Sequence, residues 1–282
     1  MKNFDFHRFV QTFKCQMLMG RKYWLRQFLV FFLLLFGMQI FLLHVANMSA
    51  YHNVGVQYVT QFSMFFLAIS ILYGATSIFR VLKDTRSRVS YLMFPASNLE
   101  KYVSCWVQST FVMAAVALVA YFCADTVRTL IDPVFGHEMT WGVPMFLDLL
   151  TTHFVDASKE GSQWWQEFLV ACYAIVAVVL FCHAVYMLGG TVFRRNQFRL
   201  TCLVVFFVTI INSEVVYLLN LRELIFNDIS LITYDHVTSE IHIHPLFYVI
   251  FTTIYILTVV TYWLSYRIFC RVQAVNNKWL NV

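Results

Sequence analysis

Six apolar runs constrain this 282-residue chain more than any motif it carries. They are Trp24–Val45, Tyr58–Phe79, Tyr102–Phe122, Phe168–Phe193, Leu200–Leu221 and Phe247–Phe269. A helix of about twenty residues, rising 1.5 Å per residue, crosses the roughly 30 Å of hydrocarbon in a bilayer. Barrel strands are shorter, near ten residues, and alternate apolar with polar. In lipid every backbone polar group must be satisfied within the segment, so runs of this length are helices. The expected fold is all-α: a polytopic membrane protein with six transmembrane helices in one domain over residues 1–282.

The basic residues orient the spans. Seventeen of the twenty Lys and Arg fall in the N-terminal segment, the second and fourth connections and the C-terminal tail. The three others are Arg128, Lys159 and Arg222. By the positive-inside rule both termini are expected in the cytoplasm. The net charge of +5 therefore belongs to loops at a membrane and does not point to nucleic acid. No cleavable leader is expected, because a charged segment precedes the first span and no small-residue cleavage site follows. The seven cysteines form no CxxC pair, so neither a disulfide framework nor a zinc site is suggested.

Residues 1–22 read as an interfacial element. Phe6, Phe9, Val10, Phe13 and Met17 recur at helical spacing, with Arg8, Gln11 and Lys14 elsewhere on the wheel. The connection 80–101 is the most structured cytoplasmic stretch. Arg86 and Arg88 precede the apolar group Tyr91, Leu92, Met93 and Phe94, which needs a surface to bury against. Pro95 then breaks any helix, and Ser97 with Glu100 forms an S-x-x-E capping box opening the third span. The lipid interface or a docked cytoplasmic protein would satisfy the apolar group. On the outer side, residues 123–167 form a long acidic loop ending at Trp164 and Trp165, as aromatic belts do. Residues 222–245 are too apolar for a free loop and read as a semi-buried outer segment.

Few residues suggest chemistry. No phosphate-binding glycine loop, dinucleotide fingerprint, HExxH or GxSxG occurs, so no enzymatic activity or cofactor is expected. Glu214 and His183 are the candidate polar membrane sites, since intramembrane ionisable groups are functional candidates by default; a structural hydrogen bond is the plainer reading of both. His236, His242 and His244 crowd the last outer connection as weak metal candidates, with exposed loop histidines as the alternative. Gly74, Gly189 and Gly190 would allow close helix approach.

An interfacial N-terminal helix, six spans with both ends inside, a structured segment between spans two and three, and a semi-buried outer segment between spans five and six: this layout resembles the membrane subunit of bacterial type-2 ABC exporters. The run Phe94-Pro95-Ala96-Ser97-Asn98-Leu99-Glu100-Lys101-Tyr102 also looks like one found in bacterial permeases of that kind. The resemblance implies an export permease of the bacterial inner membrane, dimeric, with ATP hydrolysis on a separate ATPase chain. It implies docking of that ATPase on 80–101, through Arg86, Arg88, Tyr91, Leu92 and Phe94. The outer loop between spans three and four is longer than that family usually carries. The competing reading is a sensor, scaffold or assembly factor that binds a partner through this outer loop.

Overall fold

The computed structural model describes residues 4–47, 52–77, 85–135, 141–144, 147, 151, 162–193, 196–218, 232–234 and 241–271. Its helices are α1 (Phe6–Met19), α2 (Arg21–Asn47), α3 (His52–Ser77), α4 (Thr85–Leu92), α5 (Asn98–Val107), α6 (Met113–Ile131), α7 (Ser162–Val192), α8 (Gln197–Leu218) and α9 (Pro245–Arg271). Six helical segments are long and apolar enough to cross a membrane, matching the six runs in the sequence. The fold is helical, with one small exception among the described residues. Ile232–Tyr234 and Ile241–Ile243 pair antiparallel in the segment read as semi-buried, Thr233 opposite His242.

The third span departs furthest from its expected limits. A π-helical turn, Gln108–Val112, joins α5 to α6, and a 3-10 turn, Asp132–Phe135, follows. The continuous stretch Asn98–Val134 holds 37 residues. At 1.5 Å each it is about 55 Å long, well beyond the roughly 30 Å of hydrocarbon. The span was expected to end at Phe122, with loop from Cys123 onward. It runs on as helix because the polar residues after Phe122 satisfy one another along one face, as described below.

The chain groups into two compact units, Met1–Ile78 with Phe94–Phe154, and Phe79–Met93 with Val155–Val282. In the first, Phe31 and Leu35 of α2 pack on Met113, Ala117, Ala120, Tyr121 and Ala124 of the third span. The alanines recur at helical spacing, and small residues of this kind let helix backbones approach without a hydrophobic drive from water. Gly74 of α3 makes the closest approach: a Cβ there would lie 2.7 Å from the Ser109 carbonyl oxygen, inside the π turn. In the second unit α7 and α9 share a ladder of polar contacts. Tyr173 meets Thr252 at 2.9 Å, the Tyr255 hydroxyl donates to the Tyr173 carbonyl at 3.0 Å, and Thr191 donates to Ser265 at 3.4 Å. Any side chain at Gly189 would collide with Thr201 of α8. Asn196, at φ 51°, turns the chain between these helices, and Asn tolerates that left-handed conformation better than most residues.

Candidate functional site

The N-terminal end of the third span is organised around one carboxylate. Ser97 has extended backbone, and its hydroxyl accepts from the Glu100 amide at 3.2 Å, while the Ser97 amide donates to Glu100 Oε2 at 2.8 Å. The expected capping box is thus complete. The other carboxylate oxygen reaches across the sequence. Glu100 Oε1 accepts from the Asp5 amide at 2.9 Å and from Arg8 Nε and Nη2 at 3.2 and 2.8 Å. Asp5 is the N-cap of α1, its side chain accepting from the His7 and Arg8 amides. Glu100 therefore closes the starts of two helices at once. Its side chain is wholly buried, whereas that of Arg8 is 27% exposed. The hydrogen bond to Glu100 raises the already high pKa of Arg8.

Two turns further on, Gln16 Oε1 accepts from the Ser104 hydroxyl at 2.7 Å and from Gln108 Nε2 at 2.8 Å. Thr12 is buried between these links. Arg8, Thr12 and Gln16 are spaced by four residues and form one stripe, so a polar face of α1 is turned into the protein. The sequence suggested the simpler division of apolar against polar. The helix instead has three faces: a docked polar stripe, an apolar stripe of Phe6, Phe9, Val10, Phe13 and Met17, and an exposed polar stripe of His7, Gln11 and Lys14.

Among the residues expected to dock a partner, the structure divides the group. Arg88 is 1% exposed. Tyr91 is half-buried and meets the Phe269 ring edge-on at 6.4 Å between centroids. Phe94 is half-buried, and the side chains of Arg86 and Leu92 lie outside the described residues. Among the described side chains of residues 86–94, Val89, Ser90 and Met93 are exposed, Met93 at 81%. Of the described members of this group, Arg88 is turned into the protein and Tyr91 sits against an aromatic ring.

The C-terminal end of the third span holds a second charged group, which sequence reasoning missed. Arg128 Nη2 lies 2.7 Å from Asp125 Oδ1, and Nη1 lies 2.7 Å from Asp132 Oδ2. Asp125 Oδ2 also accepts from the Gly142 and Val143 amides at 3.0 Å each. Asp125 and Arg128 are each 1% exposed. Gly142 has little room, since a Cβ there would stand 3.0 Å from Asp125 Oδ1. The signal was present in the sequence as D-x-x-R-x-x-x-D, a spacing that aligns all three on one helix face.

His183 Nδ1 and the Tyr262 hydroxyl are 2.7 Å apart, a bond between α7 and α9 that gives the histidine a structural partner. Glu214 is exposed on α8. His236 and the side chain of His242 lie outside the described residues; His244 is exposed, its Nδ1 accepting from the Leu246 amide at 3.2 Å. Among the described residues no three His, Cys, Asp or Glu side chains gather as a metal site would require. No protein-family model, curated protein or solved structure matches this chain.

Proposed function

We propose that this chain is the membrane subunit of an ATP-driven exporter of the type-2 ABC kind, in a bacterial inner membrane, powered by a separate ATPase. The observation that carries the reading is α4 with its sequel. A short helix between spans two and three exposes Val89, Ser90 and Met93, and the chain then passes through Pro95 into the capped start of the third span. A docked ATPase would press on that exposed face. Pro95 limits bending of the joint, and Glu100 fixes the span to α1, so displacement of α4 would move a braced helix end. The π turn at Gln108–Val112 supplies a point where the helix can yield, as such turns often do at working sites. A second copy of the chain would complete the conduit, and α8, exposed along most of its length, offers it a face.

The test is co-purification in mild detergent followed by ATPase assay of the reconstituted complex. Val89→Glu with Met93→Glu is expected to abolish ATPase binding and stimulated hydrolysis while six spans still insert. Absence of any ATPase from the wild-type preparation would sink the proposal. The scaffold reading draws support from the Asp125 clamp, which fixes Gly142 and Val143 beside an exposed Trp141. It predicts an envelope protein, lost on Trp141→Ala, in the same preparation.

A further inference from the structure

We propose that one face of the third span is a track for phospholipid acyl chains, continuing past the point where the bilayer's hydrocarbon ends. Ala115, Val119, Phe122, Thr126, Leu130 and Val134 are all exposed. Spaced by three or four residues, they fall on one stripe, and no other residue of α6 is exposed. The stripe carries no charge. Its polar member, Thr126, donates its hydroxyl to the Phe122 carbonyl at 2.7 Å and is satisfied within the helix. The opposite side of the helix changes character along its length. Met113, Ala117 and Ala120 are buried first, then Asp125, Arg128 and Asp132. A helix leaving lipid for water turns its charges outward and its apolar residues in. Here the charges turn in, and Leu130 and Val134 stay out at 65% and 81% exposure.

Length carries the stripe beyond the hydrocarbon. The apolar run ends at Phe122, and residues 123–134 add about 18 Å of helix at 1.5 Å per residue. A headgroup layer is only about 5–8 Å deep on each side. Tilt does not recover the difference: at about 40°, the upper limit for spans, hydrocarbon takes in only about six more residues. Trp141, exposed next to the Gly142 that Asp125 holds, suits the headgroup level, where Trp is enriched. Leu130 and Val134 stand about 8 and 14 Å past Asp125 along the axis. Two observations name acyl chains as what covers them. One is continuity, since the stripe begins at Ala115 and Val119 inside a helix apolar enough to cross the membrane. The other is side-chain size. Helices pack on one another in lipid through small residues, and the face of α6 against α2 has them in Ala117, Ala120 and Ala124. Past Ala115 the stripe offers Val119, Phe122, Leu130 and Val134 instead, which suit flexible chains better than a second helix.

The experiment uses the full chain in phosphatidylcholine nanodiscs, with p-benzoylphenylalanine placed in turn at Phe122, Leu130 and Val134. Illumination followed by intact-mass analysis counts the adducts, and fragmentation of each adduct places the link on acyl chain or headgroup. Acyl-linked adducts are expected at all three positions. Leu130→Glu is expected to cut the adduct at position 134 about tenfold, because a carboxylate on the stripe repels hydrocarbon, and to leave the adduct at position 122 intact. Leu130→Gln gives the same reading if the carboxylate prevents membrane insertion. Adducts confined to position 122 mean that the stripe beyond it stands in water, and they overturn the proposal. So do headgroup-linked adducts at 130 and 134, no lipid adduct at any position, or an unchanged yield at 134 in the Leu130 variants. Cross-linked dimers at 130 or 134 overturn it in favour of a second copy of the chain on this face. No ATPase enters these measurements, so the track and the exporter reading stand or fall separately.

Discussion

The two ends of the third span are both held by buried charge, but they are held differently. At its N-terminal end a carboxylate reaches ninety-two residues back to Arg8, whose side chain is partly open to solvent. At its C-terminal end Arg128 pairs with Asp125 and Asp132 on its own helix, within a turn on either side. The first arrangement joins separate elements and can be loosened one partner at a time. The second is local, dry and brings two carboxylates to one guanidinium. A span built to be moved by a neighbour would want one adjustable end and one fixed end, and this asymmetry suits the mechanism proposed above.

Breaking the C-terminal group should have the largest effect. Arg128→Ala leaves two carboxylates facing each other without their cation. Removal of one partner from a buried pair typically costs about 3–5 kcal/mol. A marked fall in thermal stability in detergent, with poor membrane yield, is expected. Arg128→Met combined with Asp125→Asn and Asp132→Asn should recover much of the loss, since no buried charge then remains. A stable Arg128→Ala single variant would mean the group is wetter than its burial indicates.

Glu100→Ala comes next, at about 2 kcal/mol, because it removes a cap and several charge-assisted hydrogen bonds but leaves Arg8 able to reach water. Its diagnostic readout is local: protection of the Asp5 and Arg8 amides against hydrogen exchange should drop while residues 125–132 keep theirs. Ser97→Ala should cost about 1 kcal/mol, the usual value for an N-cap, and should leave the Arg8 link in place. If Ser97→Ala loosened α1 as much as Glu100→Ala does, the helix cap would be holding α1, and the cross-sequence contact would be idle.

These two ends also mark where the sequence could be read and where it could not. The six spans were legible because hydrophobic length is a chain-local property. The Ser97–Glu100 box was legible because its partners sit three residues apart. The Arg8–Glu100 contact was not, since nothing in a run of residues says which distant cation a carboxylate will meet. Arg128 was readable in principle. Polar residues past an apolar run look like the end of a helix, yet here they neutralise one another along one face and extend it. Arg88 and Tyr91 show a third limit: a helix as short as α4 has too few turns for the sequence to reveal which side is inward.

The smallest effect should come from salt, and it separates the two ends without any mutation. The screening length falls from about 8 Å at physiological ionic strength to about 3 Å at 1 M. Screening acts where ions can enter. Arg8 is 27% exposed at its side chain, so counter-ions can compete with Glu100 for it. Arg128 and Asp125 are 1% exposed at their side chains and leave no such opening. Raising sodium chloride should therefore modestly speed hydrogen exchange at residues 5–12 and leave residues 125–132 unchanged. A response at the C-terminal end would show that water reaches that group. No response at either end would show that α1 is held by Gln16, Ser104 and Gln108, whose neutral hydrogen bonds screening does not touch, and the charge at Glu100 would then serve its own helix alone.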